Sequence, residues 1–187
     1  MKIDAGLFFA AWKSSCRTRN DSLEREWDNP QGFTRIILDR HNSVTEDVAK
    51  ELRLNNYSEY YSMDSVMYRE GSDRASGTPP NETWLNKIRV AIENENQFNW
   101  NLYQEICHLM ILDCELRVLV TYPGSSSTDS PEMKMLHSLI LKSDESQRFS
   151  NEESILVIFG RKPSLESQIT WDAYVYKESN WKENTKS

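Results

Sequence analysis

The pattern of apolar and polar positions divides the chain into a helical first quarter and a mixed remainder. "AGLFFAAW", Ala5 to Trp12, reads as a short helix followed by the polar stretch "SSCRTRNDS". Pro30 and Gly32 introduce a further helical turn or two, with Phe33, Ile36 and Ile37 on one side. In "NSVTEDVAKELRLNN" the apolar Val44, Val48 and Leu52 recur at helical intervals. Ser43 and Glu46 stand at capping-box spacing, which predicts a helix starting after Ser43.

Beyond this point strand patterns take over. "YSEYYSMDSVMYRE" is rich in Tyr, Val and Met, which favours a strand and sets Asp64 inside an otherwise apolar or aromatic run. "GSDRASGTPPNE" marks a loop, and "KIRVAIENEN" a second strand. Because side chains alternate along a strand, Glu93 and Glu95 point to the same face. From about Asn99 to Leu112, Leu102, Ile106, Leu109 and Met110 form an apolar helical stripe, and Asn101, Gln104, Glu105 and His108 a polar face. "ELRVLVTYP" is the near-continuous apolar run of a buried strand. The loop "GSSSTDSPE", the helix "MKMLHSLILK", the strands "SILVIFGRK" and "ITWDAYVYK", and a polar tail from about residue 178 complete the reading. The expected architecture is a single α/β domain over 1–187, a mixed sheet of about five strands flanked by helices.

Composition narrows the class. A chain of 187 residues with 38% hydrophobic and 11% aromatic content suits one globular domain with a full core. It has no apolar run of about eighteen residues, and "GLFFAAW" is too short for a membrane span or a signal segment, so a cytoplasmic protein with no membrane partner is expected. The three cysteines Cys16, Cys107 and Cys114 are not at zinc or disulfide spacing, and the last two read as small buried hydrophobes. His41, His108 and His137 are isolated and read as surface or helix-face residues, and most of the six tryptophans as packing residues. No glycine-rich nucleotide-binding pattern occurs, and the serines of "PGSSSTDSP" read as loop solvation. The net charge of -7 argues against binding nucleic acid by bulk attraction alone. A nuclease stays open, because a bound cation offsets the carboxylates that hold it.

Asp64 and the pair Glu93/Glu95 carry the chemistry. They lie on consecutive strands joined by a loop, so all three can converge at one sheet edge. Carboxylates brought together repel and lose hydration unless a cation or proton compensates. Hard oxygen ligands suit Mg²⁺ or Mn²⁺. Taken alone, Glu93 and Glu95 are as well explained as a solvated strand end; Asp64 tips the balance towards a metal.

"YYSMDSVMY", a loop, "VAIENEN", the helix with "YQEICHLM" and the strand "LRVLVTYP" together resemble the core of the PD-(D/E)XK, or restriction-endonuclease-like, superfamily. The similarity covers about residues 43 to 122. Asp64 matches the first acid and Glu93 the second, while Glu95 stands where lysine is usual. The resemblance implies a restriction-endonuclease-like sheet, with a third meander strand near "NNYSEYY", and an Mg²⁺-dependent endonuclease acting on DNA. Asp64 and Glu93 would hold the metal with the Asn94 carbonyl, and Glu95 would orient water, act as a base or help bind a second metal. Of the acids on the preceding helix, Glu46, Asp47 and Glu51, Glu51 is nearest the strand and is the expected accessory. Arg89, on the same strand face as Glu93, or Lys87 would lend positive charge. Restriction enzymes often work as dimers, so a homodimer is also allowed. The absent lysine keeps a second reading open: a catalytically inactive protein of this fold that binds nucleic acid or a protein partner.

Overall fold

The computed structural model describes residues 2–77, 79, 82–124, 130–144, 147–164 and 168–184. The chain runs α1 (Ala5–Thr18), α2 (Asn20–Glu26), α3 (Pro30–Leu38), α4 (Val44–Glu51), β1 (Asn55–Tyr60), β2 (Met63–Tyr68), β3 (Ile88–Glu95), α5 (Leu102–Ile111), β4 (Cys114–Thr121), α6 (Pro131–Ser143), α7 (Arg148–Glu152), β5 (Ile155–Arg161), β6 (Thr170–Lys177) and β7 (Asn180–Glu183). Side chains supply several of the helix starts. Asp4 accepts the Leu7 N–H, Asn29 the Gly32 N–H ahead of Pro30, Ser43 the Glu46 N–H and Ser130 the Met133 N–H. The Glu46 carboxylate accepts from the N–H of Asn42, one residue before the expected capping-box partner.

One mixed sheet holds seven strands in the order β1 to β7, where about five were expected. β1, β2 and β3 form an antiparallel meander, β3, β4 and β5 are parallel, and β6 and β7 return antiparallel. The additional strands lie at the sheet edges. β1, "NNYSEY", is the short strand foreseen near Tyr57, and β7, "NWKE", lies within the stretch expected to be a polar tail. Edge strands carry polar side chains because one flank faces water, which makes them hard to distinguish from loops. The helix expected to stop at Trp12 continues through the polar stretch to Thr18, because Ser15 and Cys16 extend its buried face.

The two parallel crossovers decide which helices cover which face. Crossovers of this kind are right-handed, and both step in the same direction across the sheet, so α5 and the α6–α7 pair share a face. There Leu102, Ile106, Leu109, Met133, Leu136, Ile140 and Phe149 pack on Ala91, Leu119, Val157 and Phe159. On the opposite face Val90, Ile92, Leu116, Val118 and Val120 meet Phe8, Trp12, Leu23, Ile37 and Val48 of α1 to α4. The alternation of Val118, Leu119 and Val120 between two cores is why β4 reads as a continuous apolar run.

Arg117 fixes the far end of α5. Its buried guanidinium donates to the carbonyls of Leu109 (3.1 Å), Cys114 (3.3 Å) and Leu112 (2.5 Å), tying the negative end of the helix to β4. All three cysteines are free thiols; Cys16 and Cys114 are buried, Cys107 only half-buried. Trp84 and Trp100 are exposed, unlike the packed Trp12 and Trp181. Among the described residues no helix is long and apolar enough to cross a membrane. Residues 125–129 of the serine-rich loop, Thr78, Pro80 and Asn81 of the proline-rich loop, and 185–187 of the expected tail lie outside the described residues.

Ile106 is the fully buried centre of the α5 contact, so Ile106→Ala should destabilise the protein by about 2–5 kcal/mol in urea unfolding. A loss below about 1 kcal/mol would contradict the packing of α5 on the sheet.

A candidate metal centre at the end of β3

The β2–β3 ladder ends at Ser65↔Ile92, and beyond it carboxylates take over the hydrogen bonding. The Asp64 N–H donates to Glu93 Oε2 at 3.2 Å, and the Asn94 N–H donates to Asp64 Oδ2 at 2.8 Å. This reciprocal clamp brings the two acids together where the strands diverge. Glu59, which faces Asp64 across the β1–β2 hairpin, has φ 57°, in the left-handed region, and strand pairing is interrupted there.

Glu93 is only 1% exposed. α5 supplies the remaining walls around it. His108 Nδ1 lies 3.4 Å from Glu93 Oε1 and 3.8 Å from Glu105 Oε2. One ligand atom each from Glu93, Glu105 and His108 falls within 4.8 Å of the others. Among the described residues neither Glu93 Oε1 nor His108 Nδ1 has a hydrogen-bond partner. Burial, and then the charge of Asp64, push the Glu93 carboxyl well above the usual carboxylate range, with Glu105 adding to the effect. Burial likewise raises Asp64, with the charge of Glu59 adding, against the opposing Asn94 N–H. It also raises Glu105, opposed by His108 and reinforced by Asp64 and Glu95.

The other expected residues have varied fates. Glu95 is half-buried and its Oε1 accepts the Gln97 N–H at 2.7 Å. Asn94 gives its N–H to Asp64, while its side chain accepts from the Tyr122 hydroxyl at 2.5 Å. Glu51 is exposed at the end of α4, and Glu46 and Asp47 pair with Lys50 and Arg19; none of the three is among the groups that meet Glu93. Arg89 is committed elsewhere. Its guanidinium makes two 2.6 Å bonds to Asp73 and a third to Glu115, and holds the Asp73 carboxyl well below the usual range. Lys87 also pairs with Glu115, at 3.7 Å.

By sequence pattern Glu105 and His108 belong to an ordinary polar helix face, with His108 isolated. Two signals mark them: Glu-x-x-His spacing, a helical donor pattern of carboxylate metal proteins, and their place on the helix directly after the acidic strand. The donor set suits a divalent cation, because the buried, unpartnered oxygen of Glu93 faces further oxygen and nitrogen donors. Comparisons with known protein families, with curated proteins and with solved structures find no match to this chain.

The raised carboxyls set a pH dependence. A carboxyl whose pKa is higher folded than unfolded contributes stability that is full below the unfolded value, about 4.3 for Glu, and is lost as pH rises through the folded one. Metal-free protein should therefore gain Tm as pH falls from about 8 to about 5, and Glu93→Gln should gain less. Identical Tm–pH curves for the two proteins would contradict the raised Glu93.

Proposed function

We propose that the protein is a metal-dependent nuclease that hydrolyses DNA phosphodiester bonds, with Asp64 and Glu93 holding Mg²⁺ or Mn²⁺. The observation that carries this reading is the buried Glu93 carboxylate, one oxygen of it unpartnered, clamped against Asp64. A hard cation bound by one or two carboxylates keeps positions for water and a substrate phosphate. The meander β1–β2–β3, the helix α5 and the parallel strand β4 follow the order of elements that the PD-(D/E)XK resemblance requires, which supports a restriction-endonuclease-like core.

When bound, the cation would lower the pKa of a water and polarise the phosphoryl group. The chain's own residues orient the partners. Asp64 and Glu93 set the position of the reaction, and Glu95, two residues along β3, orients the attacking water or accepts its proton. Positive charge for the phosphate comes from a different element than the expected Arg89. A cavity of about 540 Å³ reaches Asp64 and is lined by Arg35 and Arg40, neither in an ion pair among the described residues, and by Tyr57, over which Arg40 stacks at 5.8 Å. Asp39 and Glu59 line it too, so it favours a phosphate only once a cation offsets Asp64.

Glu95 favours a second reading, a non-catalytic protein of this fold that binds nucleic acid or a protein partner. It replaces the usual lysine with a charge of the wrong sign for steadying hydroxide or phosphate.

Plasmid and single-stranded DNA incubated with the protein in Mg²⁺ or Mn²⁺ should be cut, and chelator should abolish cutting. Asp64→Asn and Glu93→Gln should each lower the rate about 100-fold or more. Cleavage that survives both substitutions or persists in chelator would contradict the site, and no cleavage by wild type would favour the second reading.

A further inference from the structure

We infer that Glu93, Glu105 and His108 form a cation centre of their own, which shares Glu93 with the Asp64 site but takes a borderline divalent ion such as Zn²⁺ in preference to Mg²⁺. The inference rests on the geometry between β3 and α5, and requires neither Asp64 nor DNA cleavage.

Three observations carry it. The first is spacing. Two donors on one small cation, at about 2.0–2.2 Å with angles of about 90–110°, lie about 2.8–3.6 Å apart. His108 Nδ1 is 3.4 Å from Glu93 Oε1 and 3.8 Å from Glu105 Oε2, so closing the shell needs only side-chain adjustment. The second is that Glu93 Oε1 and His108 Nδ1 lie 3.4 Å apart, and among the described residues neither has a hydrogen-bond partner. Glu93 is almost fully buried and cannot turn to bulk water for a partner, whereas a cation between the two atoms would satisfy both. The third is rigidity. Glu93 is held in the parallel ladder opposite Leu119, and α5 is seated by Ile106 and tied at its end by Arg117. Glu105 and His108, three residues apart, therefore reach Glu93 from one helix face.

The donor set fixes the class of ion. Imidazole nitrogen suits Zn²⁺ and its neighbours, whereas Mg²⁺ prefers oxygen ligands in near-ideal octahedral geometry. Two carboxylates and one imidazole match the charge of a divalent ion, and three protein donors leave a position for water or a small ligand.

The test is calorimetric titration of Zn²⁺ and Mg²⁺ into the full chain and its His108→Ala, Glu105→Gln and Asp64→Asn variants, with circular dichroism checking each fold. His108 and Glu105 are partly exposed, so neither substitution removes a core contact. One Zn²⁺ per chain is expected, bound at least about 10-fold more weakly by each α5 variant and no more weakly by Asp64→Asn, which removes a charge that favours the proton on Glu93. Mg²⁺ binding should not respond to His108→Ala. Absence of Zn²⁺ binding, Zn²⁺ binding indifferent to both α5 substitutions, or an equal loss in Asp64→Asn would overturn the assignment. Zn²⁺ binding of the expected pattern in a protein that never cuts DNA would support this centre while contradicting the nuclease reading. DNA cleavage dependent on Asp64 but with no Zn²⁺ response at His108 would do the reverse.

Discussion

Removing a carboxyl group from water at the end of β3 constrains everything placed around it. Glu93 faces Asp64 and Glu105, and an unpaired carboxylate in such a position costs several kcal/mol. Its burial is tolerable in three ways: with a proton on the group, with a charged imidazole at His108, or with a bound cation. The first weakens as pH rises. A cation competes with the proton for the same oxygen, so binding releases protons and strengthens towards neutral pH.

The sheet makes this burial unavoidable. β3 is a central strand, paired to β2 on one side and β4 on the other, and the crossover to β4 lays α5 over it. The two ends of β3 treat charge in opposite ways. Near its start, Arg89 is paired with both Asp73 and Glu115. Near its end, acids accumulate with a single histidine beside them. Arg35 and Arg40, on and just after α3, line the cavity next to Asp64, and neither is in an ion pair among the described residues.

Much of this was legible from periodicity. The helices α3 to α6 and the strands β3 to β6 show the spacings that burial on one face or two imposes. The edge strand β1 was foreseen only through the family resemblance and β7 not at all, because half-solvated strands and loops share a composition. Alternation and a single loop were enough to pair Asp64 with Glu93. Arg89 was placed on the correct strand, but its partner Asp73 sits in a loop, and no spacing rule links the two. His108 and Glu105 were the largest omission, since a polar helix face looks solvated until the helix is known to pack across a buried acid.

The central claim is that Glu93 is built to share its carboxylate with a divalent cation. Anomalous diffraction from crystals grown with Mn²⁺ tests it most directly. The account predicts an anomalous peak at bonding distance, about 2.0–2.3 Å, from a Glu93 carboxylate oxygen, with Asp64 or His108 completing the shell. A map with no peak at Glu93, its carboxyl instead hydrogen-bonded as the neutral acid, would contradict it.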